Sequence, residues 1–177
     1  MRFWSILIAA QVLWAQGTTP KSKPSEYPAR VHMDAVTLAA GYLFHSLPTP
    51  KGTLVTNDYL VVEVAFYGPP FSRLQLSPDM FTLRLNGRGG FIPTQHPRMV
   101  AGSVKTSGGT AKGTVNEIQQ SDSIYYRVDS VSLPEGERTL PFSGLIYFPY
   151  RGSVNSIQSL QLFYDGPMGK SMIKLLP

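Results

Sequence analysis

Apolar residues in this chain recur at every second position, and that period restricts the fold more than any other feature. In Tyr59 to Tyr67 (YLVVEVAFY), Leu60, Val62, Val64 and Phe66 share one face of an extended segment. The other face carries Val61, Glu63 and Ala65, so this segment predicts a central strand covered over most of its length. Met80 to Asn86 (MFTLRLN) alternates more cleanly, with Phe81, Leu83 and Leu85 inward and Thr82, Arg84 and Asn86 outward. Asn86-Gly87 and Gly89-Gly90 then turn the chain toward Phe91 to Gln95, a hairpin signal.

The same pattern returns near the end of the chain. Leu140 to Tyr150 (LPFSGLIYFPY) is aromatic and β-rich, and Gly144 inside it marks a bulge or a close backbone approach. Ile157 to Tyr164 places Leu160, Leu162 and Tyr164 on one face; Asp165-Gly166-Pro167 turns the chain, and Ser171 to Leu175 returns with Ile173 and Leu175 inward. Arg30 to Val36 alternates Val31, Met33 and Ala35 with Arg30, His32 and Asp34, and a further short strand is expected near Gly41 to His45. Seven or eight short strands divided by Gly/Pro turns predict an all-β chain: an antiparallel two-sheet immunoglobulin-like sandwich with Greek-key links. No amphipathic helix longer than two turns is expected. Gly102 to Asn116, poor in apolar residues and rich in Gly, Ser and Thr, reads as a flexible loop.

The N-terminus reads differently. Arg2 precedes an apolar run from Phe3 to Trp14, the layout of a secretory signal peptide and too short for a resting bilayer span. Ala15 and Gly17 flank Gln16, so residues 1–17 are read as the leader with cleavage after Gly17; cleavage after Ala15 is the alternative, and an uncleaved anchor the plainer one. Thr18 to Pro28, with prolines at 20, 24 and 28, reads as a solvated tether, and residues 29–177 as one domain. The expected location is the periplasm or the exterior, with no stable membrane span after cleavage. The mature length of about 160 residues is enough for a core without staples. That matters because the chain has no cysteine, which excludes disulfides, cysteine nucleophiles, zinc–thiolate sites and iron–sulfur clusters.

The leader, the tether, YLVVEVAFYGPP (Tyr59 to Pro70), LSPDMFTLRLNG (Leu76 to Gly87), GLIYFPYRG (Gly144 to Gly152) and SLQLFYDGPMGKSMIKL (Ser159 to Leu175) resemble a group of secreted bacterial proteins. The arrangement is also similar to extracellular bacterial immunoglobulin-like domains, the class that includes the mycobacterial immunoprotective secreted antigen. The shared element is a Ser-Pro-x-x-Phe entry to a strand, here Ser77, Pro78 and Phe81, while Tyr67-Gly68-Pro69 stands where that class has an asparagine. The resemblance implies a β-sandwich and export, and brings no catalytic residues with it.

Sharper chemistries find little footing. There is no G-x-S-x-G elbow, and Gly87-Arg88-Gly89-Gly90 lacks the lysine and helix of a phosphate loop. His32 and Asp34, two apart in a strand, share a face and with His45 or His96 could hold a metal; a solvated edge-strand face is the simpler account. The formal net charge is +5, but the basic residues are scattered singly, which speaks against nucleic acid. No cofactor is expected. The aromatic surplus is the best lead: Tyr125 and Tyr126 are adjacent, and Tyr147 and Phe163 fall opposite the inward set on their strands. Packing under a covering segment is the preferred account of these four, and a sugar- or protein-binding face the functional one. The expected function is therefore a non-enzymatic exported module that binds an envelope protein or glycan. The alternative is a small exported hydrolase or metal-dependent enzyme using His32, Asp34 or His45.

Overall fold

The computed structural model describes residues 16–104 and 114–176, with side chains placed outside 114–121. The chain is mostly β, in several antiparallel sheets of which none closes on itself. Strands β1 (Ala29–Met33), β2 (Val36–Tyr42), β3 (Ser46–Thr49), β4 (Gly52–Val55), β5 (Tyr59–Tyr67), β6 (Arg73–Leu76), β7 (Phe81–Leu85) and β8 (Ile92–Pro93) precede two helices. These are α1 (Pro97–Ala101) and α2 (Thr114–Val131); β9 (Gly136–Thr139), β10 (Phe142–Pro149), β11 (Leu160–Gly166) and β12 (Gly169–Leu176) follow. Twelve strands among the described residues exceed the seven or eight expected, because short pairs such as β3–β4 and β6–β9 form small sheets of their own.

Two four-stranded sheets, ordered β1-β2-β5-β10 and β12-β11-β7-β8, enclose the main core. The alternating residues read from sequence build it: Leu60, Val62, Val64 and Phe66 from the first sheet meet Phe81, Leu83, Leu160, Leu162 and Tyr164 from the second. Phe66, Phe81 and Tyr164 form a ring trio with centroids 5.3–6.2 Å apart. Such pairs add about 0.5–1.5 kcal/mol each beyond the area they bury. The Ser-Pro-x-x-Phe entry has a local cause. Ser77 Oγ accepts the Asp79 N–H at 3.3 Å and caps a short turn over Pro78–Met80, from which Phe81 enters the core.

A second core lies on the far side of the first sheet. Val61, Leu145 and Tyr147 project outward from β5 and β10 and are covered by Ile124, Val128 and Val131 of α2 and by Leu47 and Leu54 of β3–β4. The first sheet is thus a middle layer, with β5 and β10 buried on both faces. Helix α2 overturns the expectation of no long helix: its spacing of Ile124, Val128 and Val131 is helical, but the stripe is narrow. Thr114 already belongs to α2, which cuts into the predicted loop over 102–116. At the other end Ser103 and Val104 are tied to Thr56, and residues 105–113 lie outside the described chain, as do residues 1–15 of the proposed leader.

The predicted tether is docked. Tyr27 is buried against Ala39 and Ala65, and the Tyr67 hydroxyl donates to Lys21 O at 2.7 Å. Edge strand β10 is covered at three points: Thr18 bridges Ser143, the Leu133 N–H donates to Leu145 O, and the Gln95 N–H donates to Tyr147 O. Covering an edge in this way removes a template for pairing with other chains. No helix among the described residues is long and apolar enough to cross a membrane.

Candidate binding surface

The four aromatic residues singled out from sequence part company in the structure. Tyr147 is only 1% exposed and belongs to the second core, so it is removed from any binding face and packing under a covering segment, the account preferred from sequence, is the one that describes it. Its hydroxyl lies 2.9 Å from Ser132 Oγ and 3.4 Å from Val128 O, and burial pushes the phenol well above its ordinary range. Tyr125 and Tyr126 sit on α2 with rings 5.6 Å apart. Tyr125 is half-buried beneath the Arg98 guanidinium, 4.9 Å from its centroid, while Tyr126 is 69% exposed. Phe163 lies elsewhere, on the outer face of the second sheet, with the sheets between it and the helix layer.

Around Phe163 the sheet builds a cleft of about 680 Å³. In register, Phe163 stands between Thr82 of β7 and Met172 of β12. Since Leu83, Leu162 and Ile173 point into the core, these three must point out. Phe91, from the turn before β8, rises beside them, with its ring at 84° to Phe163 and the centroids 4.9 Å apart. Arg84 stacks over Phe91 at 5.7 Å, a contact of about 0.5–1 kcal/mol that steadies the wall. Asp79, Asp165 and Lys170 form the rim, and Lys170 Nζ pairs with Asp165 Oδ2 at 2.6 Å. Phe91 is 57% and Met172 40% exposed.

Two perpendicular rings make an apolar corner that accepts a flat, weakly polar face, and the rim supplies hydrogen-bond acceptors and an ammonium donor. That suits a pyranose ring or an apolar side chain with polar neighbours. The lining contains no histidine to serve as base for Ser171. Alternation along β11 pointed to Phe163; Phe91 carried no such signal, because it lies outside the strand that brings it there.

The histidines are dispersed. His32 is exposed on β1, with Nδ1 2.9 Å from Thr37 Oγ1. Asp34 does not continue that strand as expected: it occupies the turn after Met33 at φ 50°, so the shared face is lost. His45 Nδ1 contacts Tyr59 O at 2.6 Å beyond the opposite end of β2, about 17 Å away by strand rise alone. His96 caps α1, its Nδ1 accepting the Arg98 N–H at 3.2 Å. No group of three or more His, Asp or Glu side chains is placed to hold a metal ion among the described residues.

No protein-family model, curated protein or solved structure matches this chain.

Proposed function

We propose that this protein is an exported, non-enzymatic binding module with an immunoglobulin-like β-sandwich scaffold, and that it holds a glycan or protein of the bacterial cell envelope in its aromatic cleft. The observation that carries the reading is the corner formed by Phe163 and Phe91, with Met172 beside it, on the outer face of the second sheet. Large apolar rings left partly in water with polar groups around them are a recurring sign of a contact surface. The enzymatic alternative gains nothing from the geometry, since His32 and Asp34 lie at one end of β2 and His45 beyond the other.

The test is a Phe91→Ala/Phe163→Ala double variant, assayed against isolated envelope polysaccharide and envelope protein extract. The expected outcome is at least a tenfold loss of affinity, the scale of about 1.4 kcal/mol for a contact anchor, with a folded far-ultraviolet spectrum. Undiminished binding, or unfolding of the variant, refutes the cleft as the binding surface.

A further inference from the structure

Residues 16–18 are built into the fold. The Gly17 N–H donates to Ser130 O and the Thr18 N–H to Ser143 O, each at 2.9 Å. Thr18 Oγ1 lies 2.6 Å from Ser143 Oγ and donates to Glu63 Oε1 at 3.0 Å. Gln16 Nε2 donates to Asp129 Oδ2 at 2.8 Å. Position 17 also tolerates no side chain. Its φ is +109°, and a Cβ there would stand 2.5 Å from both Ser143 O and the Phe142 ring. Glycine is therefore required at 17 by backbone conformation and by space.

That requirement changes how the leader junction is read. The pair of small residues around Gln16 pointed to a cut after Gly17, but packing now accounts for the glycine, which leaves Ala15 to mark the cut. A cut after Gly17 would also discard both the Gln16–Asp129 and the Gly17–Ser130 hydrogen bonds. We infer that an envelope peptidase hydrolyses the Ala15–Gln16 bond, so that the mature protein begins at Gln16. Water supplies the hydroxyl of the new Ala15 carboxyl and a proton for the new Gln16 amine. Gln16 lines a cleft of about 170 Å³ with Asp129 and Glu135, whose carboxylates favour a positive charge at that terminus. The inference rests on the export reading proposed above.

The full chain, leader included, is expressed in a bacterial host, and the product's first residue is read by mass spectrometry of the intact protein and its terminal peptide. A start at Gln16, with or without cyclisation of the glutamine by loss of ammonia, supports the inference. A start at Thr18, or at any other residue past the leader, overturns it and leaves export standing. A retained Met1 overturns export as well. In a Gly17→Ala variant the junction keeps its small residues, so the same cut is expected, with Tm lowered by about 3–10 °C from backbone strain and crowding. An unchanged Tm removes the packing reason for the glycine and with it the inference.

Discussion

Replacing Gly144 by alanine tests the contact that holds the helix layer against the first sheet. A Cβ at this position would lie 2.6 Å from Leu133 Cα, 2.7 Å from Leu133 N and 3.1 Å from the Ser132 carbonyl carbon. All three are backbone atoms, so no side-chain rotation relieves the clash. The 132–133 segment must move away from β10, yet it is tied there. Leu133 N–H donates to Leu145 O at 2.8 Å, and Ser132 Oγ bonds Val128 O at 2.7 Å and lies 2.9 Å from Tyr147 Oη. Overpacking costs about 1–3 kcal/mol, and weakening one buried hydrogen bond adds about 1. The expected loss is about 2–4 kcal/mol, out of a total stability of about 5–15. In urea the midpoint should fall with the slope unchanged, and Tm should drop by about 5–15 °C. Gly90→Ala is the control: nothing lies within 4 Å of its Cβ position, so a change within about 0.5 kcal/mol is expected. A Gly144→Ala loss below about 0.5 kcal/mol would refute the account of this contact.

Two further outcomes follow from other strained or buried groups. Phe71 is 89% exposed and sits at φ 62° in the turn after Pro69-Pro70, unfavourable on both counts. Phe71→Asn should stabilise the fold by about 0.5–1 kcal/mol, read as a rise in urea midpoint, and any destabilisation contradicts that account. Burial pushes the Tyr42 phenol up to about 12 and raises Tyr27, Tyr67, Tyr147 and Tyr164 as well. In the unfolded chain these groups ionise near 10, so the stability they lend is full below pH about 10 and is lost as pH rises through the folded values. Stability should therefore decline from pH about 10 to 12 and beyond, with phenolate absorbance appearing together with unfolding; full titration near 10 in an intact fold would refute it.

Alternation made the main core legible because β5, β7, β11 and β12 each send one residue set into the same interior. At Tyr147 it left two accounts open, for a physical reason. On β10, Ile146 and Phe148 face the core between the sheets while Leu145 and Tyr147 face the helix layer, so both faces are apolar and neither is the surface. The period shows that a strand has two faces, and only the neighbouring layer decides whether the second one meets water. Phe163 obeys the same alternation on β11, but among the described residues no helix or sheet packs over that face, and the ring, flanked by Phe91, stays partly in solvent. One half of the candidate cleft was thus written in the sequence. The other half, Phe91, depends on Thr82 and Leu83 pairing with Pro93 and Ile92, a register set by tertiary structure.

Helix α2 and the N-terminal strap were hidden for a related reason: neither is ordered by its own sequence. In the described part of α2, Ile124, Val128 and Val131 are the buried apolar anchors, set among Ser, Asp and Arg, so intrinsic propensity is weak and docking on Val61, Leu145 and Tyr147 must supply the stability. The strap from Thr18 to Pro28 has the composition of a linker, with prolines at every fourth position and exposed lysines. What converts it to structure is one buried ring, Tyr27, together with the Tyr67 hydroxyl bond to Lys21 and the Thr18 bridge to Ser143. Proline favours this outcome, since a chain already held near its bound conformation loses little entropy on docking. The spacing that marks a solvated spacer when nothing is nearby marks a pre-extended strap once the β5 and β10 surfaces are there to receive it.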